Sequence, residues 1–304
     1  MNRRNFIGLT TLLPFSTARA SGGRSSGAPL VSFGLLTDVQ YADAPAAGER
    51  HYRESPGKLK AAVEWLAQKD LPFTLHLGDL IDRDFKSFDV ILPLLTPLGH
   101  PVHHLLGNHD YEVADGEKQS VVQKMGMPSD YYSFHRGGVR FVMLDTNDLS
   151  LYKHPAGSPE ALAGQEMLLD LRARKVPGAQ RSNGGLSSKQ LTWLDGELTA
   201  ADAAGEPAIV CGHHPLLPAG GHQAWNADEV LAVIERHPSM RAYFNGHNHN
   251  GGEFVRNGVP FITFKSILKE PGITAFSVIQ LFADRLEIEG MGREKSRTIA
   301  LRPA

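Results

Sequence analysis

Short apolar runs alternate with amphipathic segments along the chain. The apolar runs are typical of buried β-strands, which are expected at residues 30–37, 71–77, 101–106, 139–144, 208–211, 241–244, 259–264, 273–282 and 285–289. Apolar residues at helical spacing predict helices at residues 55–68, 88–98, 161–174 and 187–199, the second of them interrupted by prolines. Strands and helices alternate through the first two-thirds, the end is mostly strand, and the pattern indicates no internal repeat or second domain.

Five of these strands are followed directly by Asp, Asn, Gln or His. The clusters are Asp38-Val39-Gln40, Gly78-Asp79-Leu80-Ile81-Asp82, Gly107-Asn108-His109-Asp110, Gly212-His213-His214-Pro215 and Gly246-His247-Asn248-His249. A single Gly-Asp pair after a strand is usually only a turn. Open α/β sheets, however, bind ligands at the carboxyl ends of their strands, and five such clusters in one chain indicate a shared site.

The side chains in these clusters are oxygen and nitrogen donors, with no thiolate among them. Such a set suits Mn²⁺, Fe, Zn²⁺ or Mg²⁺ and argues against a structural zinc site built on cysteines. Two cations about 3.5–4 Å apart need a bridging carboxylate. Asp79 is the natural candidate for that bridge.

The five clusters resemble the signature of the calcineurin-like metallophosphoesterases. The resemblance extends from residue 38 to residue 249 and implies that residues 30–304 form one domain. It implies an α/β fold, a four-layer αββα sandwich in which two mixed sheets lie face to face with helices outside both.

One variation in the first cluster narrows the resemblance. Asp38 is followed two residues later by Gln40, where most of the superfamily has histidine. In this respect the chain is similar to the manganese-dependent ADP-ribose/CDP-alcohol diphosphatases. Further similarity lies in His51-Tyr52-Arg53, Asn183-Gly184-Gly185-Leu186-Ser187, Ala224-Trp225-Asn226 and the extension Asn250-Gly251-Gly252.

The resemblance also implies roles for individual residues. One divalent ion, most simply Mn²⁺, is expected on Asp38, Gln40, Asp79 and His249, and a second on Asp79, Asn108, His213 and His247. His109 is expected beside the scissile phosphate, where it protonates the leaving group or stabilises charge. Asp82 is expected to orient His109.

Contacts to the rest of a substrate are less well defined by the sequence. Arg53 is a candidate clamp for a phosphate, although a solvated arginine fits its position as well. Tyr41 and Trp225 are candidates for stacking on a base, but buried or rim aromatics are the commoner case. Asn183 belongs to a turn sequence that is also a candidate substrate loop.

The function implied is hydrolysis of the pyrophosphate in nucleoside-diphosphate-linked compounds, such as ADP-ribose or CDP-choline, by a metal-bound hydroxide. The expected partner is therefore a small nucleotide-type substrate. One alternative is a phosphomonoesterase or cyclic-nucleotide phosphodiesterase on the same metals. Another is a metal-binding protein without activity, against which His109 and the full set of expected ligands argue.

Composition is that of an ordinary soluble protein, with 41% apolar and 21% charged residues among 304. The formal net charge of −2 gives no indication of a nucleic-acid surface. Cys211 is the single cysteine, which rules out an internal disulfide, and its apolar surroundings predict a core position.

The first twenty residues have the pattern of an export signal. Arg3 and Arg4 precede a short apolar segment that ends near Ala20, which resembles the twin-arginine signal and is too short to span a bilayer. Residues 21–29, rich in Gly and Ser, are expected to form a flexible lead-in. We therefore expect a bacterial protein exported by the twin-arginine machinery to the periplasm or beyond, with no stable membrane anchor.

Overall fold

The computed structural model describes residues 27–302, and within this range twelve strands form two six-stranded sheets. The strands are β1 (Val31–Leu36), β2 (Thr74–Leu77), β3 (Val102–Leu105), β4 (Tyr132–Arg136), β5 (Val139–Met143), β6 (Ala208–Cys211), β7 (Met240–Asn245), β8 (Gly252–Arg256), β9 (Val259–Thr263), β10 (Ala275–Leu281), β11 (Arg285–Gly292) and β12 (Arg297–Ala300). The α-helices are α1 (Ser55–Leu66), α2 (Ser87–Ile91), α3 (Val121–Lys124), α4 (Pro159–Ala173), α5 (Ser188–Ala204) and α6 (Ala227–Ile234). None of these helices is long and apolar enough to cross a membrane. The predicted export signal at residues 1–20 lies outside the described range and stays a prediction.

Both sheets are mixed. The first has the strand order β12-β11-β10-β1-β2-β3, in which β1, β2 and β3 are parallel. The second has the order β4-β5-β6-β7-β9-β8, in which β5, β6, β7 and β9 are parallel. Because parallel strands end at the same edge of their sheet, the loops that follow β1 to β3 are neighbours, as are those that follow β6 and β7.

The two sheets pack face to face, and helices cover the outer face of each. Phe33 of β1, Phe141 of β5 and Phe244 of β7 meet in the core between the sheets, where the ring centroids of Phe33 and Phe141 are 5.3 Å apart. Successive side chains of a strand point to opposite faces. Leu36 therefore packs with helix α1 on one outer side, and Val142 packs with α5 on the other. This arrangement confirms the predicted four-layer sandwich.

Differences from the predicted elements have local causes. The strand predicted at residues 71–77 begins only at Thr74, since Pro72 has no N–H to donate to a ladder. The helix predicted at residues 88–98 is α2 followed by a 3₁₀ helix over Leu92–Leu98, which contains two prolines. Strands β4, β8 and β12 were not predicted. All three are sheet edges whose residues, apart from Ile299 of β12, are exposed or half-buried, and they therefore lack a continuous apolar run.

Cys211 lies in the core between the sheets, as predicted. Burial raises the pKa of its thiol, so the side chain stays neutral at physiological pH.

A pair of buried histidines links β2 and β3 on the helix-covered side of the first sheet. The Nδ1 atoms of His76 and His104 are 3.2 Å apart. Burial, assisted by the nearby His103, lowers the pKa of His104 to about 4. Burial and His104 lower the pKa of His76 well below its usual range. Both imidazoles are therefore neutral in the folded protein at physiological pH.

These histidines predict a loss of stability in mild acid. The unfolded chain protonates histidine near pH 6.5 whereas folded His104 does so near 4, so the unfolded state binds more protons between these values. Stability is thus complete above about pH 6.5 and is lost as the pH falls toward 4. For His104 alone the expected loss between pH 7 and pH 5 is about 2 kcal/mol.

Urea unfolding at pH 7 and pH 5, in the presence of chelator, measures this effect. The variant His104→Gln should lose less unfolding free energy on acidification than the parent. His135→Gln is the matched control, because His135 is a half-exposed residue of β4. An identical loss in the parent and in His104→Gln would contradict the assignment.

Candidate metal centre

Side chains that follow strands of both sheets meet at one edge of the sandwich. Asp79 follows β2 of the first sheet, whereas His213 and His247 follow β6 and β7 of the second. Each offers a ligand atom, and these three atoms lie within 4.8 Å of one another. The group combines a carboxylate with two imidazoles and is a candidate metal site built across the two sheets.

Asp79 lies at the centre of this group and is fully buried. Its Oδ1 accepts the backbone N–H of His109 at 2.8 Å, and its Oδ2 accepts the amide of Gln40 at 2.8 Å. The Nε2 of His213 is 3.3 Å from the same Oδ2. Although burial acts in the opposite direction, the positive potential of His213 and His109 holds the pKa of Asp79 well below its usual range. Asp79 is therefore a carboxylate, the form that binds a cation.

His213 is oriented by the strand beside it. Its Nδ1 lies 2.8 Å from the carbonyl oxygen of Leu77, to which an N–H there donates. Its Nε2 is buried, has no hydrogen-bond partner and faces Asp79. Burial acts in the opposite direction, but the Asp79 carboxylate raises the pKa of His213 to about 9, so the Nε2 carries a proton when no cation is bound. Metal-binding histidines commonly donate one N–H to a carbonyl in this way, which directs the other nitrogen at the metal, and a bound cation would take the place of its proton.

His247 is oriented by Asn183. The side-chain NH₂ of Asn183 is surrounded by three backbone carbonyls, those of residues 178, 221 and 223, at 2.8 to 2.9 Å, and its two N–H groups donate to them. Its oxygen therefore faces the Nε2 of His247, at 2.9 Å, and accepts an N–H from it. The Nδ1 of a neutral His247 is then an acceptor, 3.0 Å from the Oδ1 of Asn108, which is also an acceptor. Two lone pairs that face the same point fit a cation between them.

Asp38, Gln40 and His249 form the other half of the centre. The Nε2 of His249 lies 3.5 Å from the Oδ1 of Asp38 and 3.0 Å from the Nε2 of Gln40. The sequence predicts that Gln40 presents its amide oxygen here, but in the structure the amide nitrogen faces this side. Because Asp79 and His249 present acceptors, the amide nitrogen of Gln40, a donor, is favoured on this side when no cation is bound. Rotation of the Gln40 amide by 180° would exchange its nitrogen and oxygen.

The unpaired polar atoms of this region test whether a cation fits. Within residues 27–302, Asp38 Oδ1, Gln40 Oε1 and His213 Nε2 are buried and have no hydrogen-bond partner. Buried polar atoms are normally paired, because an unpaired one costs about 1–3 kcal/mol. Asp38 Oδ1 is an acceptor, His213 Nε2 presents a lone pair once its proton is lost, and both belong to the predicted ligand set. Gln40 Oε1 would join them after rotation of its amide. The donor set therefore fits divalent cations that prefer oxygen and imidazole ligands.

The backbone is strained at four residues of the predicted ligand set. Asp38, Gln40, Asp79 and His247 have φ angles of 51°, 45°, 57° and 65°, in the left-handed region that non-glycine residues rarely adopt. Such conformations cost about 1–3 kcal/mol each and concentrate at functional sites. Gly107 has a steric reason to be glycine, because a Cβ atom there would lie 2.6 Å from His213 Cε1 and overlap the carboxylate of Asp79.

Asp110, which has no part in the predicted ligand set, holds the loops after β2 and β3 together. Its carboxylate is fully buried and accepts four backbone N–H groups, those of Asp79, Leu80, Ile81 and Gly107, at 2.8 to 3.2 Å. Burial and the nearby Asp79 charge raise the pKa of Asp110 to about 7, whereas the backbone donors act in the opposite direction. Since every partner is a donor, the geometry accommodates the charged carboxylate.

His109 stands at the mouth of the centre between two side chains. Its Nδ1 is 3.3 Å from the backbone carbonyl oxygen of Asp82, to which it can donate, and 3.2 Å from the Oδ1 of the same residue. Its Nε2 is 3.2 Å from the Nη1 of Arg50, a residue that the sequence analysis did not single out. A guanidinium has only donors, so the Nε2 accepts and the Nδ1 carries the proton toward Asp82.

Two predicted substrate contacts lie toward the surface. Arg53 donates from its Nε to the carboxylate of Asp43 at 2.7 Å, and both side chains are exposed. Its guanidinium is thus paired with an acid on the surface, and its role as a phosphate clamp stays a prediction. Tyr41, next to Gln40, is half-buried and its backbone pairs with Ile81. Its role in stacking on a base stays a prediction.

Trp225 and Asn183, the two other predicted substrate contacts, are buried, which corrects the prediction that they touch a substrate. Trp225 is 2% exposed, packs against Leu168 and Leu171, and donates its indole N–H to the carbonyl of Gln180 at 3.0 Å. It is a core residue because its ring completes a small apolar cluster beneath α4. Asn183 is also buried and its amide is saturated, so it acts on His247 rather than on a substrate.

The chain matches the calcineurin-like phosphoesterase family over residues 31–251. This range includes all of the side chains described for the centre, from Asp38 to His249.

Similarity to characterised proteins extends over nearly the whole chain. The manganese-dependent ADP-ribose/CDP-alcohol diphosphatase of Oryza sativa subsp. japonica is 32% identical over 311 residues, which cover 92% of this chain and 97% of the relative. The Homo sapiens protein of the same name is 30% identical over 314 residues, covering 88% and 92%. The crystal structure of a dimetal phosphatase from Danio rerio superposes with a TM-score of 0.81 at 28% identity, covering 90% of this chain and all of the other.

Proposed function

Since this chain belongs to the calcineurin-like phosphoesterase family and is a metal-dependent phosphate ester hydrolase, we propose that it cleaves the pyrophosphate of nucleoside-diphosphate-linked compounds. ADP-ribose would give AMP and ribose 5-phosphate, and CDP-choline would give CMP and phosphocholine. One observation carries the choice of substrate: relatives named for these two substrate types align with 92% of the chain at 32% identity.

Two divalent cations, with Mn²⁺ as first choice, are proposed for the centre. The first would be held by Asp38, Gln40, Asp79 and His249, and the second by Asp79, Asn108, His213 and His247. The unpaired Asp38 Oδ1 on the first side and the His213 Nε2 directed at the second support this division. When bound, the cations would supply a nucleophilic water at neutral pH and neutralise charge on the phosphoryl oxygens.

The side chains around the cations would orient the substrate and move a proton. His109 would present its Nε2, which accepts from Arg50 in this structure, to the oxygen that leaves phosphorus, because its Nδ1 faces the carbonyl and carboxylate of Asp82. Asp82 is buried and would stabilise the imidazolium form while His109 carries the second proton. Asn183 would hold His247 in one tautomer and would not touch the substrate.

Removal of the His109 imidazole should lower the rate of hydrolysis while the metals remain bound. We expect His109→Ala to reduce kcat by about 10²–10⁴-fold, the usual contribution of a positioned general acid. Its Mn²⁺ content should equal that of the parent, because the carboxylate and imidazole ligands are unchanged. His135→Ala, on a half-exposed residue of β4, is the control. A turnover within about threefold of the parent would show that His109 has no part in the chemistry.

The substrate class is tested by a panel run after chelation and reconstitution with Mn²⁺. ADP-ribose and CDP-choline should have the highest kcat/KM, p-nitrophenyl phosphate and cyclic AMP should have lower values, and chelator should abolish all activity. Preference for p-nitrophenyl phosphate would instead indicate a phosphomonoesterase, and preference for cyclic AMP a phosphodiesterase. Bound metal without any turnover would indicate a binding protein.

A further inference from the structure

Arg293 is a buried arginine that follows β11 near the end of the chain and has no part in the predicted ligand set. Its side chain is only 8% exposed, although a guanidinium keeps its charge at every physiological pH. A buried charge requires partners. Those of Arg293 lie in the loops behind the His249 side of the metal centre.

The guanidinium of Arg293 donates to two backbone carbonyls at once. Its Nη2 lies 3.3 Å from the carbonyl oxygen of His249, and its Nη1 lies 3.1 Å from that of Ser266. Its Nε donates to Glu270 at 3.0 Å, which fixes the orientation of the group. Because the donors of a guanidinium form a rigid planar fork, Arg293 holds the loop after β7 at a set distance from the loop after β9.

The backbone around Arg293 places its side chain at this position. Gly292 has a φ of 63°, and a Cβ atom there would lie 2.0 Å from the carbonyl oxygen of Thr274, so the turn requires glycine. The N–H of Arg293 donates to the same carbonyl at 2.9 Å. The carbonyl of Arg293 accepts from the Nζ of Lys265, also at 2.9 Å. The base of the side chain is therefore fixed on both sides.

The loop after β9 also contacts Asp38, a second ligand on this side of the centre. The N–H of Leu268 donates to the carbonyl of Asp38 at 3.0 Å. The side chains of Asp38 and His249 face each other, with Oδ1 and Nε2 3.5 Å apart. Arg293 thus connects the backbone of one ligand to the loop that holds the backbone of the other, and so sets the distance between the two ligand atoms.

The opposite side of the centre is oriented by different groups. His213 faces the carbonyl of Leu77, and His247 faces the amide oxygen of Asn183. Within residues 27–302, the side-chain hydrogen bonds of Arg293 go to His249, to the loop after β9 and to neither of these histidines. A change at position 293 should therefore affect one side of the centre and spare the other.

We propose that Arg293 is a positioning residue for the first cation, the one on Asp38, Gln40, Asp79 and His249, and that it sets the affinity of this ion while the second ion is unaffected; this rests on the two cations of the proposed function. Arg293 touches neither the cation nor the substrate and acts through the backbone of His249. Without it, the remaining donor to the His249 carbonyl is the N–H of Ser266, at 3.5 Å. The loop could then carry the imidazole away from Asp38.

Binding of Mn²⁺ to the chelator-treated full chain, measured by calorimetry, tests the proposal without turnover. Arg293→Met keeps a long side chain and removes its donors. It should raise the Kd of one ion about 10- to 100-fold, the usual effect of losing a group that orients a ligand, and leave the other Kd within about threefold of the parent. Arg293→Lys should fall between Arg293→Met and the parent, because it keeps the charge and loses the planar fork.

Arg285→Met is the matched control, since Arg285 lies at the opposite end of β11, is 14% exposed and pairs with Asp284 and Glu287. A rise in Kd for Arg293→Met no larger than that for Arg285→Met, or an equal rise for both ions, would overturn the proposal. Circular dichroism shows whether each variant is folded. If Arg293→Met is not, Arg293→Lys decides, and parental Kd values for both ions would overturn the proposal.

A second background identifies the ion that responds. His249→Ala removes the imidazole through which Arg293 is proposed to act. In that background Arg293→Met should leave the Kd of the remaining ion unchanged, because the two changes affect the same site. A further rise in that Kd would show that Arg293 acts on the side of His213 and His247, and the proposal would fail.

The parent protein separates this proposal from the proposed function. If the parent binds only one ion per chain, the two-cation centre is refuted and the role of Arg293 with it. If the parent binds two ions and neither responds to Arg293→Met, the role of Arg293 is refuted and the diphosphatase assignment stands. If one ion responds but the parent does not cleave ADP-ribose or CDP-choline, the assignment fails and the role of Arg293 stands.

Discussion

Replacement of Asp79 by asparagine should remove metal from both halves of the centre and lower kcat/KM by more than about 10³-fold, since metal-based stabilisation of the transition state amounts to several kcal/mol. Asp79 contacts Gln40 of one half and His213 of the other, each through the same carboxylate oxygen. Asparagine has one acceptor oxygen, so its amide nitrogen must face either the N–H of His109 or the ligand side. Either choice brings two donors together or places a donor where a cation would bind.

Metal analysis after dialysis against Mn²⁺ and chelator-treated buffer measures the first part of this expectation. Activity on the preferred substrate measures the second. Asp284→Asn serves as control, because Asp284 is an exposed carboxylate in the turn between β10 and β11. A variant that retained the Mn²⁺ content of the parent would show that Asp79 is not the shared ligand.

Asparagine at position 110 should cost about 3 kcal/mol of unfolding free energy and weaken metal binding as well. The Asp110 carboxylate accepts two N–H groups on each oxygen, from Asp79 and Gly107 on one and from Leu80 and Ile81 on the other. An amide offers one acceptor and places an NH₂ group against two backbone donors. Two buried N–H groups then lose their acceptor, and the loop that carries Asp79 is released.

Urea unfolding in the presence of chelator isolates the stability effect from metal binding. Asp115→Asn is a suitable control, since Asp115 lies five residues further along and its side chain is 51% exposed. A variant at position 110 as stable as the control would mean that the four backbone bonds do not depend on the charge.

The donor residues of the centre could be predicted because they depend on sequence-local features. Asp38, Asp79 and His213 each follow an apolar strand, and the parallel order of those strands brings their ends together. The backbone strain at Asp38 and Asp79 is also local, since each must turn sharply at a strand end.

Residues whose task depends on distant partners could not be assigned in this way. Asn183 looked like a turn, and its actual partners come from residues 178, 221 and 223 and from His247. Arg50 and Arg53 stand in one segment with the same chemistry. Which of them faces the centre is decided by the 3₁₀ turn at Tyr52–Glu54 and by the bridge to Lys269.

Helix α6 was not predicted, although its apolar residues have helical spacing. Ala227, Val230, Leu231 and Ile234 repeat at helical spacing and are all buried. The segment is short, and the loop before it contains the adjacent Gly220 and Gly221, a composition typical of an irregular connection.

Because the first sheet supplies Asp38, Asp79 and Asn108 and the second supplies His213, His247 and His249, a cation bound between them would act as a cross-link between the two sheets. Separation of the sheets would then require release of the ion. The free energy that holds the sandwich together would include a binding contribution that grows with the logarithm of free ion concentration, about 2.7 kcal/mol at a hundredfold excess over Kd. The melting temperature of this chain would thus depend on the ion supply of its surroundings as well as on its apolar core.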